Sequence, residues 1–303
     1  MKQKIIAYAA SIAFILSVLI SCASMGTVAQ IGAAIGQAAG VIDARTADAI
    51  AKTGAAWGKA FEEITPEQEY YIGRAVGANV LSSYKLYNNP ALVLYVNKIC
   101  NTLVINSPRP EIFNGYRVNI LDSDEINAFA TSGGHIFLTR GLISNSSSED
   151  TLAAVVAHEI AHIQLQHGLK AIKNSRITQA LVLTGATAAS AAAGSYNLAE
   201  MTSVFTESIN EIITTMVVNG YSQSQEYDAD ATAQLLLSLA GYEPSSLLEM
   251  LRVLEKNQSA HPGGFNKTHP TPTQRIANAQ KTVGNYSVED TREFRAARFQ
   301  AIR

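Results

Sequence analysis

Cysteine is almost missing from the 303 residues: only Cys22 and Cys100 occur, so no disulfide framework staples the fold. Charge is also sparse, with 16% Asp, Glu, Lys and Arg and a formal net charge of −2. No basic cluster stands out, which removes the footprint a phosphate backbone needs and excludes nucleic acid as a partner. Proline is absent from residues 23–64, a stretch rich in Ala and Gly that reads as a spacer with helical pieces. What is plentiful is apolar: 47% of the chain is hydrophobic, enough for one large domain or two small ones without crosslinks. Cys100, in "LVLYVNKIC", then reads as a small buried hydrophobe.

Residues 1–22 form a separate segment. Lys2 and Lys4 precede an apolar run from Ile5 to Ile20, followed by Ser21 and Cys22, which is the pattern of an export signal. Leu19-x-Ser21-Cys22 resembles the lipobox of bacterial lipoproteins, in which cleavage leaves the cysteine as a lipid-bearing N-terminus. Cys22 is therefore the expected lipidation site, and Ala23 after it points to the outer membrane rather than the inner.

The folded domain is expected to start at Thr65, a capping residue before Pro66 with Glu67 and Glu69 in the first turn. A second helix follows Asn89–Pro90. Alternation in "YRVNIL", a Gly133–Gly134 turn and "HIFLT" predict a small antiparallel sheet within 116–140. The rest reads as helix: one from Ser147 or Ser148 to Gly168, then roughly 221–240, 245–256 and 273–283. The small-residue stretch 179–201 reads as a close-packing segment or a lid, and "SVEDTREFRAARFQAIR" as a solvated helix.

The chemistry sits in "AAVVAHEIAHIQLQHG". Residues four apart on a helix share a face, so His158 and His162 project together, with Glu159 one step round. Val155 and Leu165 continue that stripe, so the histidines lie on a packed face where lone polar groups are costly. H-E-x-x-H on a helix is the pattern in which the histidines bind zinc and the glutamate serves as general base. A catalytic zinc needs a third protein ligand. The extended motif that would supply it nearby is excluded, because Leu165 and Gly168 stand at its glycine and histidine positions. His167 is close in sequence but off the face, and is expected to cap or face solvent. "YSQSQEYDADATAQLLLSLAG" offers a carboxylate pair, Glu226 and Asp230, again four apart.

"HEIAH" and "EYDAD", preceded by "NAFATSGGHIFLTRGL" and followed by "THPTPTQRI", resemble the M48 family of zinc metallopeptidases in its soluble bacterial lipoprotein or periplasmic form, over roughly Thr65 to Thr282. The resemblance implies an α+β, mainly α-helical fold: a gluzincin-like domain over 65–285 with a small antiparallel sheet beside the HExxH helix, and a charged tail at 286–303. It implies that His158, His162 and Glu226 bind one zinc ion, that Glu159 activates water, and that Asp230 supports a ligand histidine. It also implies that an edge strand at Asn127, Ala128, Phe129 and Ala130 pairs with substrate backbone. Ser132 departs from the proline that many relatives carry before the Gly-Gly turn. For the oxyanion the resemblance points to His269 and Arg275. His269 has three open readings: a gate that occupies the position reserved for water, an oxyanion donor, or a cap for the helix near Thr273.

The expected activity is zinc-dependent endopeptidase action on unfolded or misassembled cell-envelope proteins, at the periplasmic face of the envelope and alongside an envelope assembly complex. Two alternatives stand beside it. One is a lipid-anchored, chaperone-like binding protein with a latent or structural zinc site, and the other a hydrolase of non-peptide amides. A purely structural zinc site has no use for Glu159.

Overall fold

The computed structural model describes residues 25–193, 220–257, 269 and 272–302. The signal segment with Cys22, residues 194–201 of the small-residue stretch, and Pro270 beside His269 lie outside the described residues. The chain divides into two compact units, Met1–Glu63 with Ala171–Ile212, and Ile64–Lys170 with Ile213–Arg303.

In the first unit, α1 (Met25–Ala38) turns into α2 (Ala44–Phe61), whose N-terminus is capped by Asp43 accepting from the Thr46 N–H at 2.7 Å. Ala49, Ala56 and Ala60 of α2 pack with Ala180 and Leu183, and the Trp57 indole N–H donates to Thr184 Oγ1 at 2.9 Å. Ala180 and Leu183, in the described part of 179–201, thus belong to a small cluster within this unit.

The second unit opens with α3 (Pro66–Ser83), where Thr65 and Gln68 make a reciprocal capping box. The helix α4 (Pro90–Ile105) starts behind an Asn89 cap and buries Cys100, whose thiol burial pushes up to about 12. Next come β1 (Arg117–Leu121), β2 (Ala128–Thr131) and β3 (His135–Thr139), in the order β1-β3-β2. The sheet is mixed, not wholly antiparallel. β2 and β3 form the expected hairpin, whereas β1 lies on the far side of β3 and runs parallel to it, with Val118 opposite Ile136. The reason is directional: the chain reverses once between Leu121 and Ala128 and again at Gly133–Gly134, so β3 runs the way β1 does and takes the place between β1 and β2. Both glycines take positive φ, 76° and 94°. The turn is pressed against α3, for a Cβ on Gly73 would lie 1.4 Å from the Ser132 carbonyl oxygen.

After the short α5 (Arg140–Asn145), α6 (Glu149–Gln164) runs through the centre of the unit, and every residue from Glu149 to Ile163 is buried. Such a helix is covered on all sides. Its alanines at 153, 154, 157 and 161 leave room for α8 (Gln223–Leu239), which answers with Ala229 and Ala233. α6 does not continue to Gly168. It stops at Gln164, Gln166 adopts φ 56°, and α7 (His167–Ala193) begins at once. α9 (Ser246–Asn257), α10 (Pro272–Ala279), a 3₁₀ turn at Val283–Asn285 and α11 (Arg292–Ile302) complete the unit. The C-terminal helix is docked through one face, where Phe299 joins the core and Arg295 is buried against Asp150, while most of its other residues are exposed as expected. Among the described residues no helix is long and apolar enough to cross a membrane.

Candidate metal centre

Helix spacing delivers the cluster as follows. α6 presents His158 and His162 with their Nε2 atoms 3.0 Å apart, and α8 brings Glu226 across from them. Glu226 Oε2 lies 3.4 Å from His158 Nε2, and Oε1 lies 3.4 Å from His162 Nε2. His269 completes the group, its Nδ1 2.8 Å from Glu226 Oε1 and 3.4 Å from His158 Nε2. All four are buried, and one donor atom from each falls within a 4.8 Å group that could hold a metal ion.

A layer of charge supports these donors. Asp230, one helical turn beyond Glu226, places Oδ1 3.0 Å from His158 Nδ1. Arg275 of α10 spends its nitrogens on carboxylates: Nε and Nη2 donate to Asp230 at 2.9 and 2.6 Å, and Nη1 lies 3.0 Å from Glu226 Oε2. His162 is bounded differently. The Tyr221 ring stacks on it at 4.1 Å with an 18° interplanar angle, and His167 Nδ1 lies 2.9 Å from its Nδ1.

Glu159 differs from its neighbours. It is fully buried, yet neither carboxylate oxygen has a hydrogen-bond partner among the described residues, and His269 Nε2 lies 3.8 Å away. Burial raises its pKa above the usual carboxylate value. Burial also works against the Glu226 charge, but His269 and Arg275 outweigh it and hold that group well below the ordinary range. Burial drives His162 well below the usual histidine value.

The structure thus brings His158, Glu159, His162, Glu226, Asp230, His269 and Arg275 into one neighbourhood. His269 turns its Nδ1 to the cluster. Asn127 and the strand Ala128–Thr131 lie at the sheet edge, and a tight cleft with lining residues Ala130, Thr131, Ser132, His162, Gln166 and Tyr221 brings that strand near one of the donor histidines. Thr139 N–H donates to Asn127 O, so by antiparallel alternation Phe129 and Thr131 share its side and Ala128 and Ala130 turn their backbone groups away from β3. Two residues near the metal donors lie outside the expected set. Of the two expectations for His167, a cap or a solvent-facing residue, the second is overturned: it is wholly buried, because the reversal at Gln166 folds it back onto α6. Tyr221 is not singled out by the sequence, where it stands at the expected start of the 221–240 helix; the structure puts it just before the Ser222 cap of α8.

The family model of peptidase family M48 matches residues 91–283. Similar proteins include the beta-barrel assembly-enhancing protease of Escherichia coli (strain K12), 26% identical over 243 residues that cover 78% of this chain and 48% of the relative. The same-named protein of Yersinia pestis is 28% identical over 234 residues, covering 74% and 46%. The mitochondrial metalloendopeptidase OMA1 of Schizosaccharomyces pombe is 23% identical over 234 residues, covering 76% and 65%. The chain spans about half the length of the two bacterial relatives. Since the matched span runs through the sheet, both donor helices and the His269–Arg275 block, the chain belongs to peptidase family M48.

Proposed function

We propose that the protein is a zinc-dependent endopeptidase of the bacterial cell envelope that cleaves unfolded or misassembled polypeptides. The observation that carries this reading is Glu159: a buried carboxylate with no hydrogen-bond partner among the described residues, beside a group of metal donors. Such a group costs stability and is retained where a reaction uses it.

The donor set suits zinc. Tetrahedral bonds of about 2.0–2.1 Å require ligand atoms roughly 3.3 Å apart; five donor contacts here run from 2.8 to 3.4 Å, counting both Glu226 oxygens, within a group whose single donor atoms lie within 4.8 Å of one another. His158, His162 and Glu226 would hold the ion. When bound, zinc supplies Lewis acidity, lowering the pKa of water toward ~7 and polarising the scissile carbonyl. Glu159 takes the proton from the attacking water and returns it to the amine nitrogen as the C–N bond breaks. Asp230 accepts from His158 Nδ1 and so leaves Nε2 free toward the ion. Arg275, committed to Asp230 and Glu226, balances their charge more than it serves an oxyanion.

Substrate enters as an added strand. Ala128 and Ala130 offer the outward backbone groups, with the Ala128 N–H bonded to Asn127 Oδ1 at 2.9 Å in the free protein. Only an extended chain can pair with that edge, which favours unfolded segments. His269 Nδ1 sits where a fourth ligand would be, so we assign it to gating a resting state. The names of the bacterial relatives refer to β-barrel assembly, which supports an envelope quality-control role beside an assembly complex. Lipidation at Cys22 would hold the protein on the periplasmic face of the outer membrane; a Cys22→Ala variant that fractionates with membranes as firmly as wild type would end that assignment.

Zinc content and cleavage of an unfolded model polypeptide test the rest. His158→Ala and Glu226→Ala should lose both zinc and turnover, and undiminished zinc in both variants would sink the ligand assignment. At full zinc occupancy His269→Ala should raise turnover. A fall would mark His269 as an oxyanion donor, and unchanged turnover with lower stability as a structural residue.

A further inference from the structure

The two ligand histidines are anchored by unlike groups. His158 Nδ1 faces the carboxylate of Asp230 at 3.0 Å, whereas His162 Nδ1 faces His167 Nδ1 at 2.9 Å, with ring centroids 5.0 Å apart. His167 owes its place to backbone geometry. α6 ends at Gln164, Gln166 takes the left-handed conformation at φ 56°, and the first residue of α7 is thereby laid back on the last turn of α6. His167 is 0% exposed, and its Nε2 has no hydrogen-bond partner among the described residues.

We propose that His167 is a positioning residue for His162: its Nδ1 accepts the His162 Nδ1 proton and fixes the tautomer that turns the His162 Nε2 lone pair into the cluster. The inference rests on the zinc reading above. Two ring nitrogens at hydrogen-bond distance need one proton between them. With that proton on His162, its Nε2 is bare and lies 3.4 Å from Glu226 Oε1, ready to ligate. His167 then carries its own proton on Nε2. With the proton on His167 Nδ1 instead, His162 must be protonated on Nε2, which closes that atom to a metal. His167 and the ion therefore select the same proton position.

The choice of an imidazole over a carboxylate also has a reason. Glu159, Glu226 and Asp230 already lie buried here, and among the described residues Arg275 is the arginine that pairs with Glu226 and Asp230. A further carboxylate behind His162 would add a buried charge without a partner, whereas a neutral imidazole accepts the bond at no cost in charge. Tyr221, stacked on the face of the His162 ring, limits its tilting, and His167 decides which nitrogen carries the proton.

The test is zinc affinity of the full chain, measured by chelator competition for wild type, His167→Phe and His167→Asn. Asn places an oxygen acceptor near the Nδ1 position, whereas Phe fills the space without one. Phe should weaken zinc binding by about 10–100-fold and Asn should restore it to within a few-fold of wild type. Equal affinity in all three, or equal losses in both variants, overturns the inference. A wild type that binds no zinc overturns the zinc reading itself and this inference with it, and two zinc ions per wild-type chain would make the His162–His167 pair a ligand set instead. Should His167→Phe fail to fold, nitrogen NMR of zinc-loaded wild type decides: protons on His162 Nδ1 and His167 Nε2 support the assignment, and a proton on His167 Nδ1 refutes it.

Discussion

The two ends of α6 both bury carboxylates, and they treat them in opposite ways. At the N-terminal end Glu149 accepts from the Tyr95 and Tyr242 hydroxyls at 2.6 and 2.8 Å and from Arg298. Asp150 accepts two bonds from Arg295, both 2.8 Å, and one from the Glu243 N–H at 3.1 Å. Both acids also lie in the first turn, where the helix dipole favours negative charge. Toward the other end, Glu159 has none of these supports. One helix thus carries acids whose bonds tie α11 and α4 to the core, and an acid left bare. On this helix the paired acids hold neighbouring elements to the core, and the acid whose oxygens accept no hydrogen bond among the described residues lies beside the metal donors.

The largest effect should come from neutralising the bare acid. Glu159→Gln should lower turnover of an unfolded substrate by about 10²–10⁴-fold, the range general-base catalysis supplies. Its melting temperature should stay level or rise, because a buried charge with no partner is removed. Assay and thermal unfolding of the same preparation check both halves. A variant that loses stability as well as activity would erase the contrast between the two ends of the helix.

The paired end should answer with stability and leave the chemistry alone. Asp150→Ala strands Arg295, which is itself buried, and breaking a buried ion pair from one side costs about 3–5 kcal/mol. Denaturant unfolding should show a loss of that order, with turnover per folded molecule and zinc content unchanged. A loss under 1 kcal/mol would mean that α11 contributes little to holding α6.

Much of this was legible in the chain, and what was hidden has physical causes. Thr65, Asn89 and Ser148 announce their helices because each supplies an oxygen for an orphan backbone N–H. The four-residue spacings of His158 with His162 and of Glu226 with Asp230 place side chains on one face before any tertiary contact is known. The reversal after α6 gave no such signal, since it is made by Gln166 at a positive φ where glycine is the usual mark, while Gly168 sits inside the next helix. That misplaced the helix end, and His167 with it. The arginines of α11 read as solvent-facing because their partners stand some 145 residues away, at Asp150 and Glu149. The parallel placement of β1 was equally out of reach, for alternation sets which side chains share a face and not which strand lies beside which.

The smallest effect concerns Glu149 and acid. Burial works against its charge, but bonds from Arg298, Tyr95 and Tyr242 prevail and hold its pKa below 4.5. A depressed carboxylate pKa contributes stability that is complete above the unfolded value, near 4.5, and is lost as pH falls through the folded value. Arg298 itself is half exposed, with 55% of its side chain accessible, so solvent screens the pair and Arg298→Ala should cost only about 1 kcal/mol or less at neutral pH. That difference between wild type and variant should shrink as the pH is lowered below 4.5, since a protonated Glu149 has no charge for Arg298 to meet. Paired unfolding curves at pH 7 and at successively lower pH, with Glu149→Gln as a background in which the difference should be absent at every pH, isolate the contribution. A gap that persists undiminished in acid would place the effect of Arg298 in packing of its aliphatic stem rather than in the ion pair, and would narrow the contrast between the two ends of α6 to Asp150 alone.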